Sequence, residues 1–145
     1  MEISDCFVFA NRHPVCSLAT MDNDQPRVRT FTLWFADQTG FYFDTVATKN
    51  VVMQLEANPR CEVCFLSPPR PPDPAEMMRV SGSVEFLDDP EIKARLHEER
   101  PILRRTGITI PDDPLLQVFR IPHGEVRIWL MENYLMGRET EKFSF

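Results

Sequence analysis

The chain has 145 residues, of which 43% are hydrophobic and 26% are charged, and its formal net charge is −6. This length and composition predict one globular domain over residues 1–145, with a core of its own. The negative charge argues against nucleic-acid binding as the main role, because such proteins need a basic face for the phosphates.

No apolar run in the sequence approaches the roughly 20 residues of a membrane span. The first 16 residues lack the charged start and apolar block of a signal peptide. We therefore expect a cytoplasmic protein with no membrane association.

The chain begins with a predicted helix over residues 4–11, with Phe7 and Val8 among its inward-facing candidates. His13 and Pro14 end this helix, since proline and the residue before it disfavour helical backbone. Residues 15–20 are predicted as the first strand.

The next stretch, residues 27–35, is rich in aromatic and β-branched residues and is predicted as a strand. Residues 37–40 form a turn signal, and the return strand begins at Phe41. Alternation along a strand places five side chains of the first strand on one face: Arg27, Arg29, Phe31, Leu33 and Phe35.

A helix follows the return strand, with Thr48 as its predicted N-cap and an end near Asn58. Lys49 lies in its first turn, where a cation is unfavourable against the helix dipole by up to about 1 kcal/mol. A dianion bound at the helix start would make the position of Lys49 favourable. The helix start, the lysine and the two nearby arginines together predict a phosphate site.

Aromatic residues beside this site favour a phosphorylated planar heterocycle as the ligand. The candidates for its flat apolar walls are Phe31, Trp34, Phe41 and Phe43. The alternative is that the arginines form a solvated strand face and that Lys49 is a surface lysine. Spacing alone does not decide between these two interpretations.

The chain has four cysteines: Cys6, Cys16, Cys61 and Cys64. The last two have the C-x-x-C spacing of some redox and zinc motifs. They fall, however, in the predicted strand 60–66, where residues three apart point to opposite faces. We therefore expect free thiols and no metal site.

Residues 67–74 contain five prolines, which predicts a stiff loop between strands; a polyproline ligand for a partner domain is the alternative. Residues 77–86 are predicted as one long strand, with a bend or a close backbone approach at Gly82. Acidic residues and Pro90 open a helix, which Pro101 interrupts. In that helix we expect His97 on a solvated face.

Residues 115–121 and 124–131 are the last predicted strands, and the tail 132–145 has no strong periodicity. Many short strands with few helices indicate a mainly β protein. The expected architecture is a closed or nearly closed antiparallel barrel with peripheral helices, which leaves few strand edges exposed.

Four segments, in their order and spacing, carry a family resemblance: residues 15–20, 25–29, 40–43 and 48–59. In these segments the chain resembles the pyridoxamine 5′-phosphate oxidase-like flavin-binding split-barrel family, especially its short members related to nitroimidazole-resistance proteins. The resemblance implies an antiparallel split β-barrel of the FMN-binding type. It also implies a homodimer with FMN at the subunit interface.

In that family, the residues that match Arg29, Thr48 and Lys49 hold the FMN phosphate. Backbone around residues 30–32 is expected at the ring edge, and Asp44 and Thr45 near the ribityl and phosphate end. Trp129 and Arg127 are the nearest counterparts of residues that the partner chain supplies in longer members. The candidate cofactor-binding residues are Arg27, Arg29, Thr30, Phe31, Thr32, Asp44, Thr45, Thr48, Lys49 and Trp129.

The resemblance implies an FMN-dependent oxidoreductase that acts on a small, planar aromatic substrate. Pyridoxamine-phosphate oxidase activity itself is not expected, because the tail offers only Arg138 and Lys142 for a substrate phosphate. The alternative is a non-catalytic flavin-, deazaflavin- or haem-binding carrier or sensor, and FAD is a further cofactor candidate. No spacing singles out His13, His97 or His123 as a haem ligand.

Overall fold

The computed structural model describes residues 1–130 and 141–145. Its helices are α1 (Ile3–Arg12), α2 (Asn50–Ala57), α3 (Pro90–Glu99) and α4 (Ile102–Arg105). Its strands are β1 (Val15–Asp22), β2 (Gln25–Thr32), β3 (Phe35–Asp37), β4 (Gly40–Val46), β5 (Arg60–Leu66), β6 (Met77–Ser83), β7 (Glu85–Leu87), β8 (Leu116–Ile121), β9 (Gly124–Trp129) and β10 (Glu141–Ser144).

The strands form two antiparallel sheets that do not close on one another, which confirms the mainly β split barrel. The first sheet has six strands in the order β10-β9-β6-β5-β1-β2, and the second has four in the order β3-β4-β8-β7. The β3–β4 hairpin lies where the turn signal at residues 37–40 predicts it, with Asp37 opposite Gly40. Strands β1 and β2 form a second hairpin, with Asp22 opposite Gln25.

The predicted strand 27–35 is in fact two strands, one in each sheet. At Leu33 and Trp34 the backbone stops pairing within the first sheet. The Leu33 amide donates to Pro14 O (2.8 Å), and the Trp34 amide donates to Tyr42 O (2.9 Å) on β4. The chain therefore crosses from one sheet to the other at this point, which alternation of side chains alone does not show.

The predicted strand 77–86 is divided in the same way. The Val84 amide leaves the ladder and donates to Pro59 O (2.8 Å), and β7 then joins the second sheet. Gly82 lies next to this crossing and is confirmed as a close approach. A Cβ on Gly82 would lie 2.5 Å from His123 O, so a larger residue would push the strands apart.

The main core lies between the two sheets and contains four fully buried phenylalanines: Phe41, Phe43, Phe65 and Phe119. Phe43 and Phe119 stack with their ring centroids 5.3 Å apart. A second, smaller core packs α3 and α4 against the outer face of the four-stranded sheet. It consists of Leu96, Leu103, Ile108, Leu116 and Val118.

Local capping explains where α3 begins, whereas the environment of one residue of this helix differs from the prediction. Asp89 is the N-cap, and its side chain accepts from the Glu91 amide (2.9 Å). His97 was expected on a solvated face, and this was wrong. Its side chain is 5% exposed, and Nε2 lies 3.0 Å from Ile108 O, because the loop after α4 folds over it.

Two smaller expectations also needed correction. Val8 is 52% exposed, whereas Phe7 packs against the core as expected. In strand β5 the predicted divergence of the two thiols is confirmed, because Cys61 is buried and Cys64 is partly exposed. The tail contains a strand that its sequence does not predict: β10 pairs with β9. Residues 131–140, which include the end of the last predicted strand, lie outside the described residues.

Within the described residues, no helix has the length and apolar character needed to cross a membrane.

Adjacent leucines before and in β8 provide a test of the second core. Leu116 is fully buried, whereas Leu115 is 43% exposed. We expect Leu116→Ala to lower the free energy of unfolding by about 2–5 kcal/mol and Leu115→Ala to change it by less than about 0.5 kcal/mol. Urea denaturation measures both values. Equal losses for the two variants would contradict this packing of α3 and α4.

Candidate functional site

A cavity of about 530 Å³ lies between the edge strand β2 and the start of helix α2. Arg27, Arg29 and Phe31 contribute from the strand, and Lys49, Asn50 and Gln54 contribute from the helix side. The structure thus brings together the arginine and the lysine that the sequence pairs in one phosphate site. Both side chains face the same cavity.

Within residues 1–130 and 141–145, the groups that hold Arg29 in place are all neutral. Its Nη1 donates to Thr20 Oγ1 (2.7 Å) and Leu18 O (3.4 Å), and its Nη2 donates to Gln54 Oε1 (2.5 Å). Among the described residues, no carboxylate forms an ion pair with this guanidinium. Burial lowers its pKa, as expected for a cation that has lost part of its water without gaining a counterion.

Gln54 and Thr20 are functional candidates that the sequence analysis missed. Both side chains are buried, at 7% and 2% exposure, and the Thr20 hydroxyl donates to Gln54 Oε1 (2.6 Å). One amide oxygen therefore orients Arg29 and Thr20 together. A polar residue at a buried position of the predicted helix is the signal that could have identified Gln54.

Helix α2 begins one residue later than predicted, and Lys49, not Thr48, is its N-cap. In the part of the chain that the structure describes, no side chain caps the helix start, and the first turn of α2 contains no acidic residue. The first amides of a helix have no partner inside the helix, and here the residues that carry them, Asn50 and Val51, line the cavity. This helix start is suited to bind an anion, and Lys49 adds a positive charge beside it.

The cavity is basic although the protein is acidic. Its lining includes Arg27, Arg29 and Lys49 against a single carboxylate, Asp22. Asp22 lies 3.3 Å from Nε of Arg27, and both side chains are largely exposed. Because that pair offsets Arg27, the net positive charge resides with Arg29 and Lys49.

A second cavity, of about 240 Å³, adjoins the first and shares Thr30, Phe31 and Lys49 with it. We call the two together the groove. The second cavity adds Thr32, Asp44 and Arg100. Arg100 was not predicted, because it follows α3 in sequence, almost 70 residues away from the strand that it contacts.

Three of the predicted cofactor-binding residues lie outside the lining of the groove: Thr45, Thr48 and Trp129. Thr45 is buried and its Oγ1 has no hydrogen-bond partner in the described part of the chain. Thr48 is exposed in the turn before α2. Trp129 lies on β9, four strands away from β2 in the same sheet, so a single chain does not bring it to the groove.

Only one of the four proposed aromatic walls lines the groove. Phe31 does so, at 9% exposure. Phe41 and Phe43 are fully buried in the core, and Trp34 lies elsewhere, where its Nε1 donates to Glu99 (2.8 Å). Trp34 lies where the chain crosses between the sheets, and its ring packs against Phe35 and Tyr42.

The four cysteines and the proline-rich loop do not line the groove. All four thiols are free. Burial raises the pKa of Cys16 and of Cys61 to about 12, which keeps both thiols protonated near neutral pH. The proline-rich loop lines a separate cavity of about 480 Å³ with Arg12 and His13.

These residues fit a phosphorylated flavin. Arg29, Lys49 and the start of α2 supply donors and positive charge for a phosphate. Phe31 supplies apolar surface next to them. A buried carboxylate oxygen of Asp44, which lines the second cavity, accepts no hydrogen bond from the described residues, although Nη1 of Arg100 lies 3.0 Å away. Ribityl hydroxyls and a ring N–H are donors that this oxygen could accept. Thr45 lines neither cavity.

One family model and several solved structures match this chain. The model of the pyridoxamine 5′-phosphate oxidase family matches residues 6–130. A search of curated proteins gives no match. A crystal structure of a NimC/NimA family protein from Clostridium acetobutylicum is 27% identical, with a TM-score of 0.79, and the match covers 97% of this chain and 91% of that one.

Two more distant structures share the fold. A haem-binding protein from Mycobacterium smegmatis is 16% identical with a TM-score of 0.71, over 98% of this chain and 56% of that one. An FAD-binding protein from Mesorhizobium loti is 17% identical with a TM-score of 0.64, over 84% of this chain and 90% of that one.

The network around Arg29 can be tested without a ligand. We expect Gln54→Ala to lower the free energy of unfolding by about 1–3 kcal/mol, because Arg29 and Thr20 lose their shared acceptor. Met53→Ala, at the neighbouring position of the same helix, is the control, since Met53 is 63% exposed. Urea denaturation of both variants gives the values. If Gln54→Ala cost no more than its control, the network would not stabilise the fold.

Proposed function

Because the chain belongs to the pyridoxamine 5′-phosphate oxidase family, we propose that it binds FMN in the groove and acts as an FMN-dependent oxidoreductase on a small, planar aromatic molecule. Arg29, Lys49 and the first amides of α2 hold the phosphate. Thr48, in the turn before Lys49, supplies a hydroxyl from the exposed side. Pyridoxamine phosphate is not the proposed substrate.

One observation carries this proposal: the guanidinium of Arg29 is partly buried, firmly oriented and without a carboxylate partner among the described residues. Its orientation comes from Thr20 and Gln54, which are neutral. Placing a cation in this way costs free energy unless an anion joins it. A phosphate monoester carries up to two negative charges, so it satisfies Arg29 and Lys49 together.

The protein's own residues do the following work at the site. Arg29 and Lys49 bind and orient the phosphate, and Phe31 packs against the apolar part of the cofactor. Asp44 accepts a hydrogen bond from a hydroxyl or N–H group of the cofactor, and residues Thr30, Phe31 and Thr32 lie along the groove. The bound flavin supplies the hydride chemistry, and the groove admits a flat substrate beside it.

FAD and a deazaflavin are the alternative cofactors, since each has a phosphate and a planar ring system. Haem is supported less, because none of the three histidines, all of which are described, lines the groove. A carrier or sensor that binds flavin without turnover would use the same residues. Reduction of the bound flavin by NADH or NADPH, followed by reoxidation by an aromatic acceptor, separates an enzyme from a carrier.

We propose further that two chains pair through the outer face of the six-stranded sheet, with the cofactor at their interface. An apolar row crosses that face at one end of the sheet: Val15 (62% exposed), Leu66 (56% exposed), Met77 and Trp129. Met77 lies opposite both Leu66 and Trp129 in the ladder. Burial of this row against a second copy removes apolar surface from water. It also brings one chain's Trp129 towards the other chain's groove.

The phosphate site is tested by comparing FMN with riboflavin, which lacks the phosphate. We expect Arg29→Ala and Lys49→Ala each to weaken FMN binding by about tenfold to a hundredfold, the loss of one charge-assisted interaction. Riboflavin affinity should change little. Fluorescence titration of the apoprotein measures both ligands.

Two further variants make the test of the phosphate site more specific. Gln54→Glu keeps the shape of the side chain but gives Arg29 an internal carboxylate, so FMN affinity should fall while the fold is retained. Lys93→Ala removes a cation that pairs with Asp88 far from the groove and is the control. Parent-like FMN affinity in Arg29→Ala and Lys49→Ala would show that the phosphate lies elsewhere.

The dimer is tested with a charge placed in the apolar row. Leu66→Glu should give a monomer in light scattering, and it should also weaken FMN binding because the interface forms part of the site. Ile110→Glu is the control, because Ile110 is 53% exposed in a loop away from the row. A Leu66→Glu protein that remains dimeric would rule out this face.

A further inference from the structure

Arg100 connects the two sheets where the barrel is split. It lies just past the end of α3, and its Nη2 donates to Leu33 O (2.5 Å) and Thr32 O (3.2 Å) at the end of β2. Its Nη1 lies 3.0 Å from Asp44 Oδ1 on β4, in the other sheet. One guanidinium therefore spans the mouth of the groove from β2 to β4.

Asp44 is the acidic member of this pair and is largely buried, with a side chain that is 10% exposed. Burial raises the pKa of Asp44, and the charges of Arg100 and Lys49 offset that rise only in part. Although Nη1 of Arg100 is close, its direction does not give a hydrogen bond, and Oδ1 has no donor among the described residues. The carboxylate thus has an acceptor oxygen available at the groove.

Both groups line the second cavity, next to the one that holds the proposed phosphate site. The two cavities share Thr30, Phe31 and Lys49. If a flavin phosphate were bound by Arg29 and Lys49, the rest of the cofactor would have to occupy the second cavity. Arg100 and Asp44 would then be the charged groups of that cavity that do not bind the phosphate.

We propose that Arg100 and Asp44 set the electron affinity of the flavin in this groove, with Arg100 favouring the reduced form and Asp44 the oxidised form. This inference rests on the proposed function. Two electrons and one proton added to the neutral ring leave it with one more negative charge. In a partly buried groove a nearby cation stabilises that charge and a nearby carboxylate destabilises it.

Arg100 and Asp44 carry opposite charges, so their removal should shift the flavin potential in opposite directions. Removal of the cation, in Arg100→Gln, should lower the affinity for reduced relative to oxidised FMN by about tenfold, equivalent to about 30 mV for a two-electron couple. Removal of the anion, in Asp44→Asn, should raise that ratio by a similar factor. A purely structural ion pair predicts equal destabilisation of the fold and no opposite shifts in potential.

The experiment uses FMN-loaded protein titrated with dithionite in the presence of a reference dye, which gives the midpoint potential. Arg100→Lys keeps the charge but not the two carbonyl contacts, so its potential should stay near that of the parent even if the fold is less stable. Arg95→Gln is the control, because Arg95 lies on α3, just over one turn before Arg100, but stacks on Trp34 and Phe35. Its potential should equal that of the parent.

The outcomes separate this inference from the function on which it rests. A parent that binds no flavin would overturn both. A parent that binds FMN, with Arg100→Gln and Asp44→Asn both at the parent potential, would overturn this inference alone. Potential shifts of the same sign in the two variants would also overturn this inference alone. If Arg100→Gln fails to fold, Asp44→Asn and Arg100→Lys still decide the result.

Discussion

The hydrogen bonds of Arg29 join the three elements on which the site depends. The guanidinium lies on β2, one partner lies on β1 and another on α2. Because these partners, Thr20 and Gln54, are neutral, the arginine is oriented without being neutralised. The edge strand is thus tied to the helix, and a positive charge is left facing the cavity between them. A carboxylate at either position would give similar support but would remove the reason for an anion to bind.

The split between the sheets provides the space for a ligand. The chain leaves the first sheet at Leu33 and again at Val84, and each time it continues in the second sheet. The sheets therefore share a core at their centre but separate beside β2, where the groove lies. Arg100 crosses this opening and contacts both sheets. The same geometry that stabilises the crossing also places opposite charges along the groove.

Features encoded by a few adjacent residues were predicted well. The turn at residues 37–40, the start of α3 at Asp89 and the divergence of Cys61 and Cys64 depend on local backbone preferences. The errors arose where distant segments meet. His97 is buried because the loop after α4 covers it, and the predicted strand 27–35 is divided because its backbone finds partners in both sheets.

The sequence by itself determined the mainly β class, most element boundaries and the joint presence of Arg29 and Lys49 near a helix start. Alternation, turn residues and capping act over a few residues, so they can be read without coordinates. Only the tertiary structure decided that Gln54 orients Arg29, that Phe31 alone of four aromatic candidates lines the groove, and that Arg100 reaches Asp44. The contacts of Gln54 with Arg29 and of Arg100 with Asp44 join residues 25 and 56 positions apart. Their energies depend on burial and direction, which exist only once the sheets have packed.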